Sequence, residues 1–190
     1  HLIRDSITGI HLSECPDGQL PRLASFGQLR TLSIGPSLGE AQPRVQIEDL
    51  EPLGSLSGLR ELRLQREYSL ETLQGIESLQ LEALVIKDCP TLENLRGLGW
   101  QTAMTQLFLE ADVENGRTFE RLEDLSPLRG LKALKRLRMI GLTRVQEISA
   151  LSELEQLTEL WIHSAVKLKS LSPLSHLSEL ESLSLCGLHS

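Results

Sequence analysis

Leu168-Lys-Ser-Leu171-Ser-Pro-Leu174-Ser-His-Leu177-Ser-Glu-Leu180-Glu-Ser-Leu183-Ser-Leu185 carries two spacings in one stretch. From Leu168 to Leu180 the leucines recur every third residue. A strict period of three suits a 3₁₀-like or extended segment, because an α-helix would drift off that register. Pro173 inside the run also argues against a helix. Leu183 and Leu185 then stand two apart, which places both side chains on one face of a strand. The stretch therefore reads as a narrow return leading into a short strand, with leucines from both sides pointing the same way.

The same pattern, apolar-x-x-apolar-x-apolar, occurs eight times. The triplets are Ile7/Ile10/Leu12, Leu29/Leu32/Ile34, Leu59/Leu62/Leu64, Leu81/Leu84/Ile86, Met104/Leu107/Leu109, Leu134/Leu137/Met139, Leu157/Leu160/Ile162 and Leu180/Leu183/Leu185. Successive starts lie 22, 30, 22, 23, 30, 23 and 23 residues apart. That is the period of a solenoid whose coils bury their leucines against the neighbouring coils. Composition agrees, since leucine supplies 42 of 190 residues and aromatics only 3%. One residue type in such excess fills one structural slot repeatedly. The expectation is a single domain over residues 1–190, with coils starting near 7, 29, 59, 81, 104, 134, 157 and 180.

The residues that carry a family resemblance are Ile7-x-x-Ile10-x-Leu12-x-x-Cys15 and Leu81-x-x-Leu84-x-Ile86-x-x-Cys89, with the runs 123–131 and 168–185. They resemble the short bacterial leucine-rich repeats of the internalin type. The resemblance implies an α/β-type solenoid: a right-handed coil with a concave parallel sheet of about eight strands and 3₁₀ or extended segments on the convex side. In that family the final Asn or Cys packs inward and bonds backbone. Here Ser37, Glu67, Asp112, Leu142, Ala165 and Leu188 hold that slot in the other coils, so a broken polar ladder and less regular loops are expected there.

The two long coils start 75 residues apart, at Leu29 and Met104, and Glu48-Asp-Leu-Glu-Pro-Leu53 matches Glu123-Asp-Leu-Ser-Pro-Leu128 at the same offset. A three-coil block looks duplicated. The extra residues fall within 35–46 and 110–121, on one edge, either as binding loops or as neutral drift in length.

Each strand has a middle residue facing away from the leucines: His11, Ser33, Arg63, Val85, Phe108, Arg138, Trp161, Ser184. Two residues further on stand Ser13, Gly35, Gln65, Lys87, Glu110, Ile140, His163, Cys186. Large apolar and Arg side chains gather toward the C-terminal half, and such residues are the usual anchors of interfaces. Arg63, Phe108, Arg138, Ile140, Trp161 and His163 are the candidate protein- or peptide-binding residues. The alternatives are scattered surface residues, or contacts to other parts of the same protein.

No phosphate loop, metalloprotease helix or nucleophile elbow occurs, and the sequence calls for no catalytic residue, metal or cofactor. His11 and His163 stand six coils apart, about 29 Å at the strand spacing, too far to share a metal. The net charge of −7 argues against nucleic acid. No apolar run is long enough to span a membrane. Cys15, Cys89 and Cys186 show no metal spacing and point to a reducing, cytoplasmic setting.

Neither end supplies a polar cap, so a longer protein, contact with its other domains, or end-to-end self-association is expected. The run Asp88–Leu98 also resembles repeats at the C-termini of bacterial NACHT-type signalling NTPases. That resemblance implies a non-catalytic sensor region. An internalin-like adhesin that binds a host protein, or a regulatory scaffold, is the other reading.

Overall fold

The apolar side chains of each triplet can leave water only by meeting those of the next coil, and the strands align accordingly. The computed structural model describes residues 6–13, 20–36 and 47–188. Within them lie β1 (Gly9–Leu12), β2 (Thr31–Ile34), β3 (Glu61–Gln65), β4 (Ala83–Lys87), β5 (Gln106–Glu110), β6 (Arg136–Ile140), β7 (Glu159–His163) and β8 (Ser182–Cys186). They form one parallel eight-stranded sheet in strict chain order. The register is uninterrupted: Val85 pairs with Phe108, Phe108 with Arg138, Arg138 with Trp161 and Trp161 with Ser184. The columns expected from the repeat are therefore the columns of the sheet.

The returns contain short 3₁₀ helices, among them Glu51–Leu53, Ser126–Gly130, Ser149–Glu153 and Ser172–His176. Pro52, Pro127 and Pro173 sit in the first turn of three of them, where a missing N–H leaves nothing unpaired. Leu29, Leu59, Leu81, Met104, Leu134 and Leu157 are all buried, as are the inward strand residues of β2 to β7. The core is thus a continuous ribbon between sheet and returns. At the last strand the cover ends: the inward positions Leu183 and Leu185 are 47% and 38% exposed. Gly75, at φ +106, lets one return pass directly over the next, since a Cβ there would collide with Leu50 C and Glu51 N.

The loops after β3, β4, β6, β7 and β8 are more regular than the broken ladder suggested, whereas Ala111, at the same offset after β5, does not share their positive φ. Arg66, Asp88, Gly141, Ser164 and Gly187 all occupy the same offset and all take a positive φ. The N–H groups of the first four donate to the strand-end carbonyls of the next coil, those of Lys87, Glu110, His163 and Cys186. This backbone turn is the same whether Glu67, Cys89, Leu142, Ala165 or Leu188 follows it, so the side chain in the polar slot does not set it. Cys15 and Ser37 lie outside the described residues.

Two of the slot residues are polar and buried. The Cys89 thiol lies 3.5 Å from the Lys87 carbonyl, and burial pushes it up to about 12, so it stays a thiol. Glu67 is fully buried. Burial pushes its carboxyl up to about 7, and the Ile47 backbone pulls it back only in part. Gln101, also buried, is satisfied: it accepts from Leu81 N–H at 2.9 Å and donates to the Ile76 carbonyl at 2.6 Å.

Of the two insertions, residues 37–46 lie outside the described residues. The other, over 110–121, is tied back onto the preceding coils. Asp88, whose side chain is 1% exposed, accepts from Asp112 N–H at 2.7 Å and from Arg117 Nη1 at 3.1 Å. Glu120 N–H reaches the Pro90 carbonyl, Arg121 pairs with Glu93 at 2.7 Å, and Phe119 is fully buried. The insertion works as a brace, with its one large apolar side chain in the core.

Two outcomes follow. A folded-state carboxyl held near 7 binds its proton where the unfolded one, at 4.5, has lost it. Stability is then highest below the unfolded value, falls as pH rises from there to about 7, and is level above, a loss of roughly 3 kcal/mol at most. Glu67→Gln removes that slope in urea titrations across this range, and an unchanged slope would show that Glu67 is not buried as a neutral acid. Arg117→Ala, which leaves the Asp88 carboxylate buried beside a single N–H, costs about 1–3 kcal/mol in the same assay. Arg129→Ala, which removes an exposed pair with Glu153, costs distinctly less. Equal effects would contradict the brace.

Candidate functional site

Strand alternation sends every second side chain of β3 to β8 away from the core, and the parallel register sets equivalent residues side by side at the strand spacing. At β5, β6 and β7 this lines up Phe108, Arg138 and Trp161. The Arg138 guanidinium lies 5.1 Å from the centre of the Phe108 ring and 4.4 Å from that of Trp161. Cation–π contacts of this kind are worth about 0.5–2 kcal/mol each, more when partly desolvated. Nη1 of Arg138 also meets Glu110 Oε1 at 2.8 Å, with the two side chains 34% and 20% exposed. Arg138 is thereby fixed, while its Nε is buried without a partner.

The row continues past Trp161. Its ring centre is 5.6 Å from that of His163, and His163 Nε2 is 2.8 Å from Ser184 Oγ. Ile140 stands between Glu110 and His163 in the neighbouring column. Five of the six expected residues, Phe108, Arg138, Ile140, Trp161 and His163, thus form one patch over β5 to β7. Arg63 is apart from it on β3. Ala83 and Val85 on β4 are small, and between Arg63 and Phe108 they leave an open depression of about 220 Å³ that Glu61, Glu110 and Arg138 also line.

Phe108, Arg138, Ile140, Trp161 and His163 are part-buried and Arg63 is exposed, none of them in the core. Glu110 belongs to the patch without being among the six expected residues; its signal in the sequence is an acid–base pairing across neighbouring strands with Arg138. Trp100, on a return segment away from the patch, is 70% exposed. Among the described residues no three His, Cys, Asp or Glu side chains converge as a metal site. No helix among them is long and apolar enough to cross a membrane.

A parallel sheet laid down one strand per coil, 3₁₀ returns and a leucine ribbon between them complete the description. The fold is the leucine-rich-repeat solenoid. An internalin (inlF) from Listeria monocytogenes superposes with a TM-score of 0.58 at 20% identity, over 97% of this chain and 62% of that one. Internalin C2 (inlC2) from the same organism gives 0.68 at 20% identity, over 95% of this chain and 72% of that one. Human 5T4, the Wnt-activated inhibitory factor 1 or trophoblast glycoprotein, gives 0.62 at 22% identity, over 95% and 68%. The chain therefore spans less than two thirds of the first of these leucine-rich-repeat proteins. No family profile matches the sequence, and no curated protein matches it.

If Arg138 is held as described, Arg138→Ala in a Trp100→Phe background shifts the emission of Trp161 toward the red and lowers stability by about 1–2 kcal/mol. Phe108→Ala and Trp161→Ala leave the chain folded, as circular dichroism would show. Loss of the fold in either would place these rings in the core and contradict the register.

Proposed function

We propose that the chain is a non-catalytic protein-binding module whose partner docks on the outward face of the sheet, over the patch of Phe108, Arg138, Ile140, Trp161 and His163, with Arg63 at its edge. The observation that carries this reading is the stack of Arg138 between two aromatic rings. It presents large side chains already held in place, so little conformational entropy is lost on docking. Residues of these types dominate binding energy at interfaces. The net charge of −7 disfavours a nucleic-acid ligand.

As to the whole protein, the run Asp88–Leu98 supports a bacterial NACHT-type receptor, with this chain as its cytoplasmic C-terminal sensor region. The likeness to two internalins supports the alternative of a surface adhesin. Sequence flanking this region separates them: a P-loop NTPase domain belongs to the first, a secretion signal and wall anchor to the second.

The test of the binding reading is site-specific photocrosslinking in the native host, with the crosslinker at Ile140 or, on the return side, at Ser78. A partner captured from position 140 and not from 78, whose affinity for the purified chain falls about ten-fold or more with Trp161→Ala, is the expected result. Capture from position 78 alone would overturn the assignment of the face.

A further inference from the structure

The depression over β4 differs in chemistry from the aromatic patch beside it. Its volume of about 220 Å³ suits a side chain, being below the ~300 Å³ at which small-molecule pockets begin. Ala83, Val85 and Phe108 give it an apolar lining. Two guanidiniums flank it, and they are not equivalent. Arg138 is committed to Glu110 at 2.8 Å and to two rings. Arg63 is 59% exposed and, among the described residues, has only Glu61, at 4.0 Å, as an ionic neighbour.

The carboxylates differ in the same way. Glu110 is taken by Arg138, so an incoming cation would find only Glu61, which already has Arg63 beside it. An incoming carboxylate would find Arg63 with its donors largely free. The wider face agrees. Its outward strand residues include four cations, Arg63, Lys87, Arg136 and Arg138, against three acids, Glu61, Glu110 and Glu159. That is a net of +1 on one face of a chain that carries −7.

We infer that the depression over β4 receives an apolar side chain of a partner peptide segment in which the adjacent residue is Asp or Glu, and that Arg63 binds that carboxylate. The inference rests on the proposal that the outward face of the sheet binds protein. It adds the chemistry that the partner presents there. The apolar side chain seats on Ala83, Val85 and Phe108, which supply area but little direction. Arg63 supplies direction through a forked pair of donors matched to a carboxylate.

The experiment is selection of a phage-displayed linear peptide library on the whole chain, followed by affinity measurements with variants shown to be folded by circular dichroism. Enriched peptides carry an apolar residue next to Asp or Glu. Their affinity falls about ten-fold or more with Arg63→Glu or Val85→Lys. Replacing the peptide's acid by Lys restores part of the loss for Arg63→Glu. Peptides that lose affinity with Trp161→Ala, and not with Arg63→Glu or Val85→Lys, would overturn this inference and leave the face as the binding surface. Peptides indifferent to all three substitutions would overturn both. Failure to enrich any peptide, or enrichment of basic ones, would overturn the assignment of an acidic partner.

Discussion

No coil of this chain can bury its leucines alone, and the rest of the structure depends on that constraint. Each inward leucine is worth about 1.5–3 kcal/mol when fully covered, but the cover comes from the coils before and after it. The chain is therefore held together by nearest neighbours, and among the described residues β8 has one on one side only. Leu183 and Leu185 remain substantially exposed at positions that are sealed in β3 to β7. Stacking also determines the outward face, because coils in register place their middle residues in straight rows. The contact of Arg138 with rings on both sides is a direct product of that register.

The fold was largely legible in the sequence because its repeat is chemical as well as numerical. The i, i+2 pairs located all eight strands, and the period-three runs located the returns. The outward columns followed from alternation alone. What escaped was whatever the repeat does not constrain. The left-handed turn after the strand is shared by Arg66, Asp88, Gly141, Ser164 and Gly187, residue types too varied to announce a common conformation. The inward slot at Glu67 accepts a carboxyl that a sequence reading would place in water. The insertion over 110–121 carried turn signals but no sign that Arg117 would reach back to Asp88, since that contact joins residues a whole coil apart.

The candidate site was legible as a set of residue types and illegible as a set of contacts. Columns of side chains identify what faces outward. They do not separate Arg138, which is clamped, from Arg63, which is not. That distinction comes from Glu110 and from the two rings, and it divides the face into an aromatic patch built around Arg138 and a smaller depression beside the more exposed Arg63.

Neighbouring residues on one strand point to opposite sides, one into the leucine ribbon and one onto the outward face of the sheet. Thiol labelling measures this directly, in a background where Cys15, Cys89 and Cys186 are replaced by alanine. Arg138→Cys should react in the folded state, and Met139→Cys only as fast as the protein unfolds. Rapid labelling at position 139 with protection at 138 would invert the sheet and contradict the account.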